Sequence, residues 1–565
     1  MMAGTKTKKA SAKKKEPARK SQESAIPDEQ TVRWNLEDLP TSQHRAGLAG
    51  LVMMVQWLNR QGTHKGACVV EKLDAHGATF RFDRAGFQSL MDHTYEASEE
   101  EQEREQPLKD KKKQIIAPLR EVTRRVTDAK GKEREKTFYV YPVTVPHGAV
   151  VTEWEPPSEG GKALWLKMWR DLLWGVLRGV PATRAPYEQR AERKPMADAA
   201  ALYDEIARDP VVPLPSTYFL GAQAKTAEDV GFKDQARRQF VLHFWPFAIR
   251  IYTPITVDRE GKEEFTGFAV AFPDVSDLRD YCETFPSLMR GRGVEAAGYR
   301  PRESKVDLAL EAGVDLMWRL RRLVPAQLEA SQGLTAFSLR GVDVVHVEKQ
   351  GNNVRVWSST RVEPKPGMLN EYGSVKGVFW SADFRRQRLV NLVAGRDWHA
   401  GFLGIFKTAP WERFLGDKQF FGHDARAAFK AVTGAEAEMD EGKETEAALE
   451  TIVLKVVRGY LARKMEAKHG VKTTKEGDKW VWVTAEGKPA PDQEGLSKRR
   501  HKLAVDAFLG CRSRTGADFQ DYFTGTLCSV PQYLGETGYR TLSTALLRND
   551  DTVRTLTMLA LSASA

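Results

Sequence analysis

The chain changes periodicity once, and that change limits its architecture more than any single motif. Up to about Gly434 helical and extended patterns are interspersed without a regular β-α-β period. Beyond it EAALETIVLKVVRGYLARKMEAK, LSKRRHKLAVDAFLG, YRTLSTALLR and DTVRTLTMLALSA all have helical composition, with one short hairpin candidate, DKWVWVTAEG. The fold class read from this is α+β: a large mixed N-terminal α+β region followed by a C-terminal helical bundle. A boundary near residue 435 separates a body over 31–435 from a helical, small-subunit-like domain over 436–565. A disordered basic tail is expected over 1–30.

Local patterns fill in the body. Thr41 is placed to cap a helix over Ser42–Arg60, with Pro40 at its boundary. Residues Ala67–Asp83, broken by Asp74-Ala75-His76-Gly77, read as a hairpin. The stretch 96–136 passes from acidic to basic and reads as a solvated surface excursion before the strand TFYVYPVTV. Trp165, Trp169, Leu172, Leu173 and Val176 follow helical spacing. RQFVLHFWPFAIRIYTPITV and EEFTGFAVAFP are expected as two strands around the 258–262 turn, and SKVDLALEAGVDLMWRLRRLVP as a helix ending at Pro325. LRGVDVVHVEKQGNNVRVWSSTRVEP is expected as a strand pair around Gln350-Gly351-Asn352-Asn353, a turn composition that tolerates left-handed backbone.

Charge is concentrated. The 565 residues carry 86 Lys+Arg against 76 Asp+Glu, a formal net charge of +10. The first twenty residues hold +7, and Lys455–Arg514, with 15 Lys/Arg and 7 Asp/Glu, hold +8, so the remainder is net acidic. Such basic stretches attract polyanions. The four cysteines form no C-x-x-C pair, which argues against a disulfide framework and fits a reducing, cytoplasmic setting. The longest apolar run, Ala46–Val55, is too short to span a bilayer, so no membrane role is expected.

Catalytic patterns are scarce. The chain has no G-x-x-x-x-G-K-[ST], H-E-x-x-H or G-x-S-x-G motif. Gly291-Arg292-Gly293-Val294-Glu295-Ala296 partly imitates a dinucleotide loop but follows FPSLMR instead of a strand. His423-Asp424 is a pair of residue types that can ligate a metal, but no second His cluster accompanies it. The expectation is a protein that is not an enzyme, with no cofactor, no metal site and no catalytic residue. An HD-type metal-dependent nuclease and a generic basic nucleic-acid-binding scaffold are the alternatives.

The segment Asp38-Leu39-Pro40-Thr41-Ser42-Gln43-His44-Arg45-Ala46-Gly47-Leu48-Ala49-Gly50-Leu51 resembles the N-terminal signature of large subunits of type I CRISPR-Cas (Cascade) interference complexes, in the myxobacterial-type branch. DFRRQRLVNLVAGRDWHAGFLGIF also resembles this family. In the first segment Ala46, Gly47, Ala49 and Gly50 leave one helix face bare for close approach, while Gln43, His44 and Arg45 sit in a first turn that can meet an anion. The resemblance implies a non-catalytic subunit that recognises the protospacer-adjacent motif, stabilises the R-loop and recruits a nuclease-helicase or, in transposon-associated relatives, a transposition adaptor. Its partners would be crRNA, double-stranded target DNA and the displaced strand, and the backbone, small and other Cascade subunits.

A motif reader needs short amides or cations on a protruding turn. Lys349, Gln350, Asn352, Asn353 and Arg355 have that form, with the Lys109, Lys111, Lys112 and Lys113 loop as the alternative. A strand holder needs a cationic track, for which Lys498, Arg499, Arg500, Lys502, Arg512 and Arg514 are the candidates. In several type I systems the small subunit arises by internal initiation. Met439 would start a 127-residue product here, and the Ala-Glu codons before it can encode a purine-rich ribosome-binding sequence.

Overall fold

The computed structural model describes residues 26–565 apart from 110–112, 128–132, 158–160, 178–183, 214–231, 258–262, 324–337, 352, 417–419, 440–447, 477–478 and 530–533. Most of the basic tail, the 258–262 turn, Pro325 and Asn352 therefore lie outside the described residues. Glu29 and Gln30, which read as tail in the sequence, instead open a strand.

That strand, β1 (Glu29–Asn35), alternates exposed and buried positions and turns Val32 and Trp34 inward. Helix α1 (Ser42–Gln61) follows, its first turn capped by the Thr41 hydroxyl, which accepts from the His44 N–H at 3.3 Å. The expected hairpin forms from β2 (Cys68–Leu73) and β3 (Gly77–Asp83), and β1 adds to β3 to give the antiparallel order β1-β3-β2. Over Ala46–Val55 α1 is apolar on every face because it is covered on every face. It packs on a strand of the large sheet described below, and the residues following Arg237 cross its small-residue face.

Helix α2 (Arg84–Thr94) leads into a second sheet, where the charged stretch departs from expectation. Instead of a surface loop it forms β4 (Ala97–Arg104), β5 (Arg120–Thr127) and β6 (Glu133–Pro146) in the order β4-β6-β5. Opposite charges on the two outer strands meet across the central one: Arg120–Glu101 at 2.5 Å and Arg124–Glu103 at 2.7 Å. Charge that reads as solvated loop is thus the outer face of a sheet.

Helix α3 (Leu164–Gly175) buries Trp165, Trp169, Leu172 and Leu173 as its spacing predicts. RQFVLHFWPF does not continue as a strand. It forms α4 (Ala236–Val241) and a 3-10 turn over Trp245–Phe247, and only then β7 (Arg250–Val257). The large sheet adds β8 (Glu263–Phe265), the fully buried β9 (Phe268–Val275), then after α5 (Leu278–Arg290) the short β10 (Lys305–Val306), which pairs parallel with β7. Helix α6 (Glu311–Arg321) starts later than its pattern suggests, because Lys305 and Val306 join the sheet. β11 (Leu339–Gln350) and β12 (Asn353–Val362) complete the order β8-β7-β9-β11-β12.

From Met368 onward the described chain is helical except for one hairpin. α7 (Met368–Val378), α8 (Ala382–Ala394) and α9 (Phe421–Met439) precede α10 (Leu449–His469); the hairpin β13 (Val471–Glu476) and β14 (Lys479–Thr484) leads to α11 (Gln493–Arg512), α12 (Gly535–Arg548) and α13 (Asp550–Ser564). α9, α10, α11 and α12 all pack on α13, which is buried from Val553 to Ser564. The fold class is α+β with a helical C-terminal part. The change from sheet to helix falls at 362–368, and residue 435 lies inside α9. Phe384, Phe406, Phe421 and Phe508 join α8, α9 and α11 in one aromatic cluster that runs across the expected boundary. Among the described residues no helix is long and apolar enough to cross a membrane.

Candidate nucleic-acid interface

The β11–β12 hairpin outruns the sheet that supports it. Pairing of β9 with β11 runs from Val275↔Leu339 to Phe268↔Val347 and stops, whereas β11 and β12 pair on to Gln350↔Asn353. A bulge at His346/Val347 lies where the support ends. Gly351 turns the chain at φ +61°, left-handed backbone as its composition predicts. Lys349, Gln350, Asn353 and Arg355 are exposed on the projecting part. Arg355 lies 3.6 Å from the Trp357 ring centroid, and His346 stacks near the same ring, 6.2 Å between centroids. The Trp357 indole N–H donates to Glu348 at 2.9 Å. Sequence reading misses Trp357, although its i+2 spacing from Arg355 puts both on one strand face.

The first turn of α1 is a correction. Ser42 donates to Asp343 at 2.6 Å; Arg45 is ion-paired with Asp274, which also takes Arg361 at 2.7 Å. Gln43 and His44 are buried, and burial pushes the His44 imidazole down to about 4, so it is neutral at physiological pH. Ser42 and Arg45 fasten α1 within the body, and with Gln43 and His44 buried beside them this turn presents no cationic surface.

The alternative basic loop joins β4 to β5. The Tyr141 hydroxyl accepts from Leu108 N–H and donates to the Ile116 carbonyl, both at 3.0 Å, and Lys109 bridges to Ile115. Lys113 takes a left-handed φ of +64°; Lys111 and Lys112 lie outside the described residues.

The six cations of the helical part do not form one track. Lys498 pairs with Glu494 at 2.6 Å and Arg499 with Asp492 at 3.5 Å, both exposed. Lys502 is exposed; Arg512 donates to the Lys407 carbonyl at 3.1 Å, and Arg514 lies 4.4 Å over the Tyr522 ring. Arg500 turns the other way, into a cleft with Arg426 and Arg458. These two arginines lie on α9 and α10, so only the packing of three helices brings them to Arg500, and no spacing in the sequence marks the group.

His423-Asp424 serves the backbone. Asp424 is fully buried and accepts from the N–H groups of Trp380 and Ser381 at 2.9 and 2.6 Å, immediately before α8. His423 Nδ1 lies 3.1 Å from the other oxygen. Among the described residues no three His, Cys, Asp or Glu side chains gather as a metal site would need.

Residues 67–330 match the family model of the type I-B CRISPR Cas8b N-terminal domain, and residues 339–564 match that of the type I-B CRISPR Cas8b C-terminal domain. The matches together define a large subunit of a type I CRISPR system. More narrowly, the chain belongs to the Cas8b family of type I-B. No curated protein matches the chain. The two matched regions share one sheet, since β9 lies in the first and β11 in the second.

Proposed function

We propose that this chain is the non-catalytic large subunit of a crRNA-guided effector complex, in which it recognises the protospacer-adjacent motif, stabilises the R-loop and recruits the nuclease-helicase. The observation that carries the motif-reading role is the projecting β11–β12 hairpin with exposed Lys349, Gln350, Asn353 and Arg355. A two-stranded ribbon of this size enters a duplex groove, and amides and cations at its tip can meet base edges. Target sequence beyond the motif is read by base pairing to the crRNA. Lys498, Arg499, Arg500 and Lys502 on α11 contribute backbone contacts to the displaced strand. The Asp38–Leu51 segment precedes the matched residues and supports placement near the myxobacterial-type branch. Met439, the last residue of α9, is the proposed internal start of a small subunit.

The test is a randomised-motif binding screen on the complex purified with its crRNA. Substituting Asn352 and Asn353 is expected to weaken binding selectively on the correct motif. Neutralising Arg499 and Arg500 is expected to weaken binding on all sequences and to reduce the salt slope by about 1 for each phosphate no longer neutralised. Equal loss on every motif after the asparagine changes would refute the motif-reader role.

A further inference from the structure

Three arginines from three helices converge on one cleft: Arg426 of α9, Arg458 of α10 and Arg500 of α11. The cleft holds about 820 Å³, within the roughly 300–1,000 Å³ of small-molecule sites. Its floor is formed by residues 563–565, and the Arg426 Nε–H donates to the Ala563 carbonyl at 3.0 Å. Among the described residues no carboxylate side chain is ion-paired with Arg426, Arg458 or Arg500. Glu466, on the wall, is already paired with Lys472 at 2.9 Å. Burial, then the neighbouring Arg426 and Arg458, hold the Arg500 guanidinium below its ordinary range. Like charges gathered without an ion-paired counter-charge oppose one another, and an anion between them removes that opposition.

The other wall is aromatic. Trp480 and Trp482 stand two positions apart on β14 and so share a face, and both line the cleft. Trp482 is 7% exposed and its indole N–H donates to Ser497 at 3.2 Å, which fixes its ring. Trp480 is 70% exposed, leaving its ring open beside the arginines. Guanidinium groups bind phosphate oxygens in pairs, and an open indole accepts any base by stacking. Inorganic phosphate would use only the cationic half of this site.

We infer that the cleft captures one unstacked nucleotide of the displaced DNA strand, its phosphate between Arg458 and Arg500 and its base on Trp480. This rests on the strand-holding role proposed above and adds a discrete binding position, with Trp480, Arg426 and Arg458, to a surface otherwise made of exposed cations.

The test uses the full chain and a single-stranded oligonucleotide carrying 5-iododeoxyuridine, which photo-crosslinks to a ring it stacks on. The crosslink is expected at Trp480, to vanish in Trp480→Ala, and to fall with Arg458→Gln. Each variant is expected to bind the oligonucleotide about tenfold more weakly. Trp480 is largely exposed and Arg458→Gln relieves repulsion, so melting temperatures equal to or above the wild type check that both remain folded. Unchanged affinity with the crosslink elsewhere would overturn the cleft assignment while leaving the strand-holding role standing. Absence of any strand binding by the wild type would overturn both. If dTMP protects Trp480 as well as the oligonucleotide at equal nucleotide concentration, the cleft belongs to a free nucleotide and the strand assignment is wrong.

Discussion

Glu311, at the start of α6, lies in a charged interior. Its two oxygens accept from the Tyr372 hydroxyl at 2.9 Å and from the Asp307 N–H at 2.7 Å. Burial, with Asp307 and Asp315 beside it and Lys376 opposing them, pushes its carboxyl up to about 7. A carboxyl that holds its proton more tightly when folded contributes stability below its unfolded value near 4.5, and loses it as pH rises toward 7. The difference in melting temperature between wild type and Glu311→Gln is therefore expected to move against the wild type across about pH 4.5–7, read by thermal melts in matched buffers. A parallel pair of curves would show that Glu311 does not titrate there. This network is not legible in the sequence. Asp315 takes Tyr252 at 3.0 Å, Tyr372 at 2.9 Å and Arg319 at 2.5 Å, and Asp307 takes Arg385 at 3.0 Å, but Tyr252, Tyr372 and Arg385 stand 63, 57 and 78 residues from the carboxylates they meet. In the sequence Glu311 and Asp315 are two acidic residues one turn apart on the expected helix, and nothing local marks their partners.

Among the elements, α1 is the most legible. Its cap, its start and its small-residue face follow from Thr41, Pro40 and the AGLAG run. The bare face serves a specific contact, because a Cβ on Gly47 would strike the Val241 carbonyl and one on Gly50 the Phe244 carbonyl. In an open helix Gly→Ala stabilises by about 1 kcal/mol. Here the neighbour is backbone and cannot turn aside, so Gly50→Ala is expected to destabilise by about 1–3 kcal/mol, seen as a lower melting temperature. A rise would show that the two backbones are farther apart. The partner segment misleads for a related reason. Phe240, Val241, Phe244, Trp245 and Phe247 are all buried, and a short run this apolar fits either a buried strand or a buried helix. The contact with α1 selects the helical turns. In 96–136 the alternation that marks a strand is hidden, since the outer strands β4 and β5 are exposed almost throughout. The hairpin tip is legible from its turn chemistry, whereas its projection past β9 depends on register, which no local pattern encodes.

At the scale of the whole molecule, the helical bundle and the body are continuous. The bundle axis α13 is covered by α9, which begins before Met439, with Gly422 of α9 against the Ser562 carbonyl. A polypeptide begun at Met439 would carry α10–α13 without that cover, so the proposed small subunit would need a neighbour over this face of α13. Changing the Met439 codon to Leu keeps a good helix former at the end of α9. It is expected to remove a 127-residue product from a C-terminally tagged gel while leaving the long chain at its usual level. A wild-type gel with no such band in the native operon would refute internal initiation. The burial of α1 also has a consequence in time. Its Ser42 is held by Asp343, 301 residues later. At about 5–20 residues per second of synthesis, the partner that closes this contact follows roughly 15–60 s behind. Even its main packing partners, the residues after Arg237 and β9, emerge roughly 190 residues or more behind it, so for much of that interval an apolar helix lacks most of its native cover, which makes the nascent chain a substrate for chaperones and gives its folding the slow pace of a high-contact-order core.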